Sequence, residues 1–443
     1  MSNQLNTIKE TLEHASKIAQ AQQVDAFEIQ ISCDQGHVID VRNLVPEKLE
    51  FNMTQHLSVS IYHQGSSGHA STSDLSISGL QSTIDHAKTI AKYTEKDPFS
   101  GIVDKKLLCQ PQRLDYLYRP WKDFSIEKAI DIAKKCENYG LSNNEIFQSE
   151  GASVDSFNLI YGLTNSHSFF DVFEQTRHSI SAGFVSKDMH GMQQDYAHFT
   201  AHDFDLLPDI AEIAALAVSR TLSKRNPQRI KSQKLPIILE PRVAKSLWHH
   251  MLSALRGTKQ YHKNTFLLDT LGKQITSNSI SVIENPDIVD GIGSQSYDSE
   301  GVNKGKNPII IDGCLARYLL NSYSGRQLKM ETTGNAGGIS NIIVHTKKPA
   351  TKDDLIKQMN QGVIVHETMG QGANLVTGDY SQGASGYYVE NGQIKYPIDN
   401  FSIVSNLAEM LLNIQGISHD DINKNGHIHT GSVLIENCFI SSQ

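Results

Sequence analysis

HLSVSIYHQGSSGHASTS, residues 56–73, alternates apolar and polar side chains through Leu57, Val59 and Ile61 and then breaks at a cluster of glycine and serine. Side chains two apart on a strand point to the same side, so the alternation marks a half-buried strand and the break a turn into a hairpin. Upstream, AFEIQIS (26–32) repeats the pattern, with Phe27, Ile29 and Ile31 on one side and Glu28 and Gln30 on the other. Before it, Leu5, Ile8, Leu12, Ala15 and Ala19 recur at steps of three and four, the period of an amphipathic helix. A helix followed by antiparallel strands in one unit sets the fold class as α+β.

Further along, Leu80, Ile84, Ala87 and Ala91 predict a second helix, and SIEKAIDIAKKCENYG (125–140) a third that stops at Gly140, where a C-cap is expected. Residues 145–202 read as a run of antiparallel strands, closed by a helix over PDIAEIAALAVSRTL (208–222). SKRNPQRIKSQKLP (223–236) is basic, holds two prolines and has no periodicity, which makes it the candidate boundary. The expected division is an N-terminal domain (1–225) of helices packed on antiparallel strands and a C-terminal β-rich domain (226–443) with one buried helix over 242–256. Residues 330–400 are dense in glycine, and VENGQI (389–394) places Asn-Gly between two apolar runs, a hairpin turn.

With 39% apolar residues, 20% charged residues and a formal net charge of -8, the 443-residue chain has the composition of an ordinary globular protein. It carries no basic tail, so general affinity for nucleic acid phosphates is not expected. Five cysteines without a C-x-x-C fit a reducing compartment, and no apolar run is long enough for a membrane span. The expected location is the cytoplasm.

Adjacent histidines in LWHHMLSALRG (247–257) suggest a metal, but ligands on a helix sit three or four apart. Four on from His249 is Ser253 and four on from His250 is Ala254, so neither has a helical partner. His366-Glu367 begins like the zinc motif H-E-x-x-H, yet Gly370 and Gln371 stand where the second histidine would be. His427 and His429 in NGHIHTGS share one side of a strand and could hold a metal together with a third ligand from elsewhere; two solvent-facing histidines on an edge strand are the commoner arrangement. TTGNAGG (332–338) and MGQGAN (369–374) lack the Lys-Ser/Thr of a phosphate loop. Their glycines, Gly334, Gly337, Gly370 and Gly372, are candidates for a groove in which an extended peptide lies against the backbone. From residues alone no complete active site emerges.

The chain resembles the PmbA/TldE family, also known as modulators of DNA gyrase, over nearly its whole length. The resemblance is carried by LIYGLTNSHSFFDVFEQTRHSIS (159–181), QQDYA (193–197), NTFLLDTLGKQI (264–275), YDSEGV (297–302), TTGNAGGISN (332–341) and MGQGANLVTGDYSQGASGYYVENGQIKYP (369–397). It implies a partner of the TldD type, with which such chains form an ATP-independent cytoplasmic zinc protease that degrades unfolded peptides, matures microcin-type precursors and removes antitoxins. The TldD partner carries H-E-x-x-x-H on the helix corresponding to LWHHMLSALRG, and a late cysteine completes its zinc site. Carried over with Gly257 as anchor, the first histidine falls on Trp248, the glutamate on His249, the second histidine on Ser253, and the late cysteine near Thr430. The resemblance therefore implies a non-catalytic chain with no cofactor of its own, zinc residing in the partner, and a homodimer when the partner is absent. Two other readings stay open: a metallohydrolase with a displaced site at His427 and His429, and direct binding to DNA gyrase or another toxin target.

Overall fold

A computed structural model describes residues 3–370 and 372–442, so Gln371 lies outside the described residues. The architecture is α+β. Six strands, β1 (Ala26–Arg42), β2 (Val45–His63), β3 (Ser66–Thr72), β4 (Ile146–Asn165), β5 (Phe170–Asp188) and β6 (Gly191–Ala201), form one antiparallel sheet in the order β3-β2-β1-β4-β5-β6. The hairpin predicted at 56–73 is β2 and β3, joined through Gln64 and Gly65, both left-handed at φ 53° and 83°. That backbone twist matches the twist of the strands it joins.

Four helices, α1 (Asn3–Ala21), α2 (Ile77–Tyr93), α3 (Ile126–Leu141) and α4 (Ile210–Ser223), pack on this sheet. The odd-numbered side of β1 is apolar at both ends, with Gln35 and His37 between. Phe27, Ile29, Ile31 and Cys33 pack with α1 and α2, and Ile39 and Val41 with α3 and α4. The even-numbered side, with Gln30 and Ser32, faces a cleft toward the rest of the molecule.

Two expectations need correction. β1 and β2 run well beyond the alternating stretches and meet at a turn of Asn43 and Leu44, both left-handed at φ 53° and 60°. A leucine there is unfavourable, and the turn is held by the buried Glu137 of α3, whose carboxylate accepts from the Asn43 and Leu44 amides at 2.8 and 2.7 Å. Gly140 is not a C-cap, since α3 continues to Leu141 and is capped by Ser142. A Cβ at Gly140 would sit 2.0 Å from the Phe184 ring, so the glycine lets the helix lie close on the sheet.

The remaining strands are β7 (Gln233–Leu239), β8 (Ile280–Asn285), β9 (Asn307–Ile311), β10 (Cys314–Leu315), β11 (Asn341–Thr346), β12 (Pro349–Ala350), β13 (Gly362–Met369), β14 (Asp379–Glu390), β15 (Gln393–Asn406), β16 (Ile414–Ser418), β17 (Ile428–His429) and β18 (Val433–Ser442). They make a five-stranded sheet, β10-β9-β8-β11-β17, and a seven-stranded sheet, β12-β16-β18-β15-β14-β13-β7, in which β18 also pairs with β7 and closes the sheet on itself. Asn391 and Gly392 form the predicted turn between β14 and β15. Helix α5 (Pro241–Ala254) shares one core with side chains of both sheets. Among the described residues no helix is long and apolar enough to cross a membrane.

Candidate functional site

Strand β7 ends at Leu239, and Pro241 opens α5 with its backbone angle already fixed for a helix. Val243, Ala244, Leu247, Trp248, Met251 and Leu252, spaced one, three and four apart, are the buried face of the helix. Trp248 is fully buried, and its indole N–H donates to Thr430 Oγ1 at 3.1 Å, with Thr430 also wholly buried. The carry-over had put the first zinc histidine at Trp248 and the late cysteine near Thr430; the structure brings these two residues into contact. His249 and Ser253 lie on the opposite, open side, with Nε2 and Oγ 3.4 Å apart. There they border a cleft of about 280 Å³ that Arg256, Asn321, Asn335 and Gly337 also line. The neighbouring His250 has a buried Nε2 without a hydrogen-bond partner.

These donors do not fit a zinc ion. An indole N–H can only donate, Thr430 and Ser253 offer neutral hydroxyls, and of the four positions only His249 has a lone pair suited to the metal. A structural or catalytic zinc requires at least three nitrogen, thiolate or carboxylate ligands from the protein.

A second cleft, of about 500 Å³, separates the even-numbered face of the first sheet from the loops of the C-terminal domain. The two clefts are neighbours, with Ala336, Gly337 and Ile339 bordering both. Of the four candidate groove glycines only Gly337 lines these clefts. Gly334 is a left-handed turn residue (φ 71°) against the Asn303 carbonyl, and Gly370 stands in open space at the end of β13. Gly372 is pressed against β14, where a Cβ would meet the Ser381 carbonyl. His427 opens onto the larger cleft, whereas His429 is buried with Nε2 3.1 Å from the Gly426 carbonyl oxygen. The expectation of two solvent-facing histidines therefore fails at His429, because β17 pairs with β11 and tucks that ring inward.

Among the described residues one group of potential ligands gathers three side chains: Asp195, His366 and Glu367. Cations already hold its carboxylates. Lys224 Nζ lies 2.9 Å from Asp195 and 2.6 Å from Glu367, and the Arg242 guanidinium grips Asp195 with two bonds of 2.8 and 2.7 Å. Burial alone would raise the Asp195 carboxyl, but Arg242 and then Lys224 outweigh it and hold the group well below the usual carboxylate range. This cluster joins β6 to α5 and β13, and so ties the first sheet to the C-terminal half of the chain. Sequence reasoning missed it: Asp195 sits in the quoted QQDYA, but no local pattern links it to Lys224, Arg242 and Glu367.

His366 completes the cluster as a neutral ring. Burial, reinforced by Lys224 and Arg242, pushes it down to about 3. A depressed histidine stabilises the fold above its unfolded value of about 6.5, and that contribution is lost as pH falls toward the folded value. The unfolding free energy should accordingly drop with a slope of about 1.4 kcal/mol per pH unit from this group between those limits. Denaturant titrations of the parent and H366N at pH 7, 6 and 5 check it: the variant should show a shallower decline.

Comparison with known proteins fits this architecture. Residues 232–442 match the PmbA/TldA metallopeptidase C-terminal domain, and residues 28–91 match PmbA/TldA metallopeptidase domain 1. The chain is 36% identical over 442 residues to Metalloprotease PmbA of Escherichia coli O157:H7, covering 99% of this chain and 97% of that one. It is 35% identical over 415 residues to a PmbA homolog of Haemophilus influenzae, covering 94% and 92%. Two crystal structures share the fold. One, from Bacteroides thetaiotaomicron and named for modulation of DNA gyrase, has a TM-score of 0.91 at 22% identity and covers 98% of this chain and 99% of its own. The other, TldE from Thermococcus kodakarensis, has a TM-score of 0.85 at 18% identity, covering 98% and 100%. By its full-length identity to these curated relatives, the chain belongs to the PmbA/TldD family of metallopeptidases.

Proposed function

We propose that this chain is the PmbA/TldE-type subunit of a two-chain zinc protease acting on unfolded peptides, and that the metal and the hydrolytic step reside in a TldD-type partner. The observation that carries the reading is the Trp248–Thr430 hydrogen bond. It fills, with an indole and a hydroxyl, the place where the family's zinc site would be assembled. Zinc peptidases use the metal to polarise the scissile carbonyl and acidify water, with a carboxylate to take the proton. Here His249 stands at the carboxylate position and the ligand positions are Trp248, Ser253 and Thr430. What remains is a cleft on the open side of α5 and a larger neighbour that shares Ala336, Gly337 and Ile339 with it, suited to holding substrate. The five cysteines are all unpaired, in agreement with a cytoplasmic setting.

An assay on an unfolded peptide should find no chelator-sensitive hydrolysis by the purified chain and strong hydrolysis once the TldD-type chain from the same genome is added. Strong chelator-sensitive cleavage by the lone chain would overturn the reading.

A further inference from the structure

One corner of the larger cleft is lined by nitrogen-bearing side chains for which the protease-subunit reading has no use. Arg177 lies on the cleft face of β5, in line with Phe173 and Gln175. Its guanidinium is 5.9 Å from the Phe157 ring centre; it forms no salt bridge among the described residues, and Asp34 acts on it only at longer range. His202, just after β6, is 3% exposed and lines the same cavity. Its Nδ1 bonds the Thr176 carbonyl at 2.6 Å, and its Nε2 has no hydrogen-bond partner, the Gly291 carbonyl approaching off hydrogen-bond geometry. His427 reaches the cavity from the other domain, beside Gly293. The three are near enough that Arg177 disfavours charge on His202, and His202 disfavours it on His427.

No acid pairs with them at salt-bridge distance among the described residues, although Asp34 acts on Arg177 and Asp290 on His202 from farther away. Asp298 also lines the cavity, but its Oδ1 accepts from the Glu300 and Val302 amides, both at 2.9 Å, and its Oδ2 from the Ala336 amide at 3.0 Å. Of the three, His202 Nε2 is a buried nitrogen without a partner, a standing cost that an acceptor removes, while Arg177 and His427 are exposed. The planar guanidinium matches a carboxylate with two parallel bonds. Ala336 and Gly337 border both this cleft and the one lined by His249 and Ser253, so a chain anchored here can run toward α5 past those two residues.

We propose that Arg177, His202 and His427 bind the C-terminal carboxylate of a peptide whose backbone runs along the cleft toward α5. The inference rests on the reading that this chain holds peptide substrate. Arg177 makes the bidentate contact. His202, whose Nδ1–H is committed to Thr176, takes a proton from solvent onto Nε2 as the carboxylate arrives and donates it to one oxygen. The corner reads a chain end and no side chain, which suits a subunit that accepts unfolded peptides of varied sequence.

The test uses the full chain and an eight-residue unstructured peptide without acidic side chains, labelled at its N-terminus with rhodamine. Three versions are titrated by fluorescence anisotropy: the free acid, the carboxamide, and a carboxamide with one internal glutamate. The free acid should bind roughly tenfold to a hundredfold more tightly than either carboxamide, the loss expected for charge-assisted hydrogen bonds. R177M should bring the free acid down to the affinity that the carboxamide has for the same variant, and R177K should restore part of the difference. Arg177 is exposed, so an unaltered melting temperature is expected for both variants. Equal binding of all three peptides, or an R177M variant that still prefers the free acid, overturns the terminal-carboxylate site and leaves peptide binding standing. A glutamate carboxamide bound as well as the free acid overturns the preference for a chain end. Failure of every peptide to bind sinks this proposal together with the substrate-holding reading beneath it.

Discussion

Replacing Asp195 with alanine should destabilise the protein by about 3–5 kcal/mol, the effect expected when one member of a buried ion cluster is removed and its partners stay behind. The Asp195 side chain is 1% exposed, that of Lys224 7% and that of Arg242 22%, so Lys224 above all has little water to replace the carboxylate. Glu367 can still meet Lys224, but Arg242 would keep only its bond to the His366 carbonyl. Because the Asp195 carboxyl is held low, its contribution is complete above the unfolded carboxylate value of about 3.9 and fades only under strongly acid conditions. The D195A deficit should therefore be nearly constant from pH 5 to 8, unlike the decline ascribed to His366. D131A provides the contrast: it breaks the Asp131–Lys135 pair, 57% and 62% exposed, and should change stability by no more than about 0.5 kcal/mol. Denaturant unfolding of both variants decides the matter. A D195A loss no larger than that of D131A would mean that the cluster does not stabilise the fold.

Trp248→Ala is expected to cost about 3–5 kcal/mol as well, through the cavity left by a fully buried indole. The side chain lies in the core shared by both sheets of the C-terminal domain, with neighbouring strands fixed by their ladders and unable to collapse onto the gap. Thr430 would also lose the indole N–H. Trp248→Phe separates the two effects, since it refills most of the volume and removes only the hydrogen bond; a loss of about 1 kcal/mol is expected for that bond. If Trp248→Ala were tolerated within 1 kcal/mol, the account of this position as a packed replacement for a ligand would be wrong. Calorimetric unfolding of the three proteins provides the measurement.

The half-buried strands and helices were legible because burying one face imposes a period on the sequence. Leu57, Val59 and Ile61 show it for β2, and Leu80, Ile84, Ala87 and Ala91 for α2. Features set by a distant neighbour were not legible. The turn at Asn43 and Leu44 carries no glycine, since a carboxylate from α3 holds it. Gly140 looks like a helix stop, and only the Phe184 ring explains why it is a glycine. The same division holds at the site. Helical spacing showed that His249 and His250 lack partners, but the meeting of Trp248 with Thr430 became visible only through the family comparison and then the fold. Arg177 and His202 lie in or beside quoted stretches and gave no local sign, because the cavity that gives them meaning is made by two domains.

The pairing of β18 with β7 sets an order of events for folding. Every strand of the first sheet and the last of its helices, α4, precede Lys224, so that domain can assemble while synthesis continues. The second domain must wait, because Lys234 lies beside Phe439 and Leu239 beside Val433. Until the last strand arrives, β7 has only the short parallel ladder to β13, and β15 and β16 lack their β18 partner. Closing so long a loop makes this the slow step, and it leaves apolar strand edges exposed during the interval. Through that interval the half-made C-terminal part is itself an unfolded segment with open strand edges, the form in which a cell's proteases and chaperones meet it.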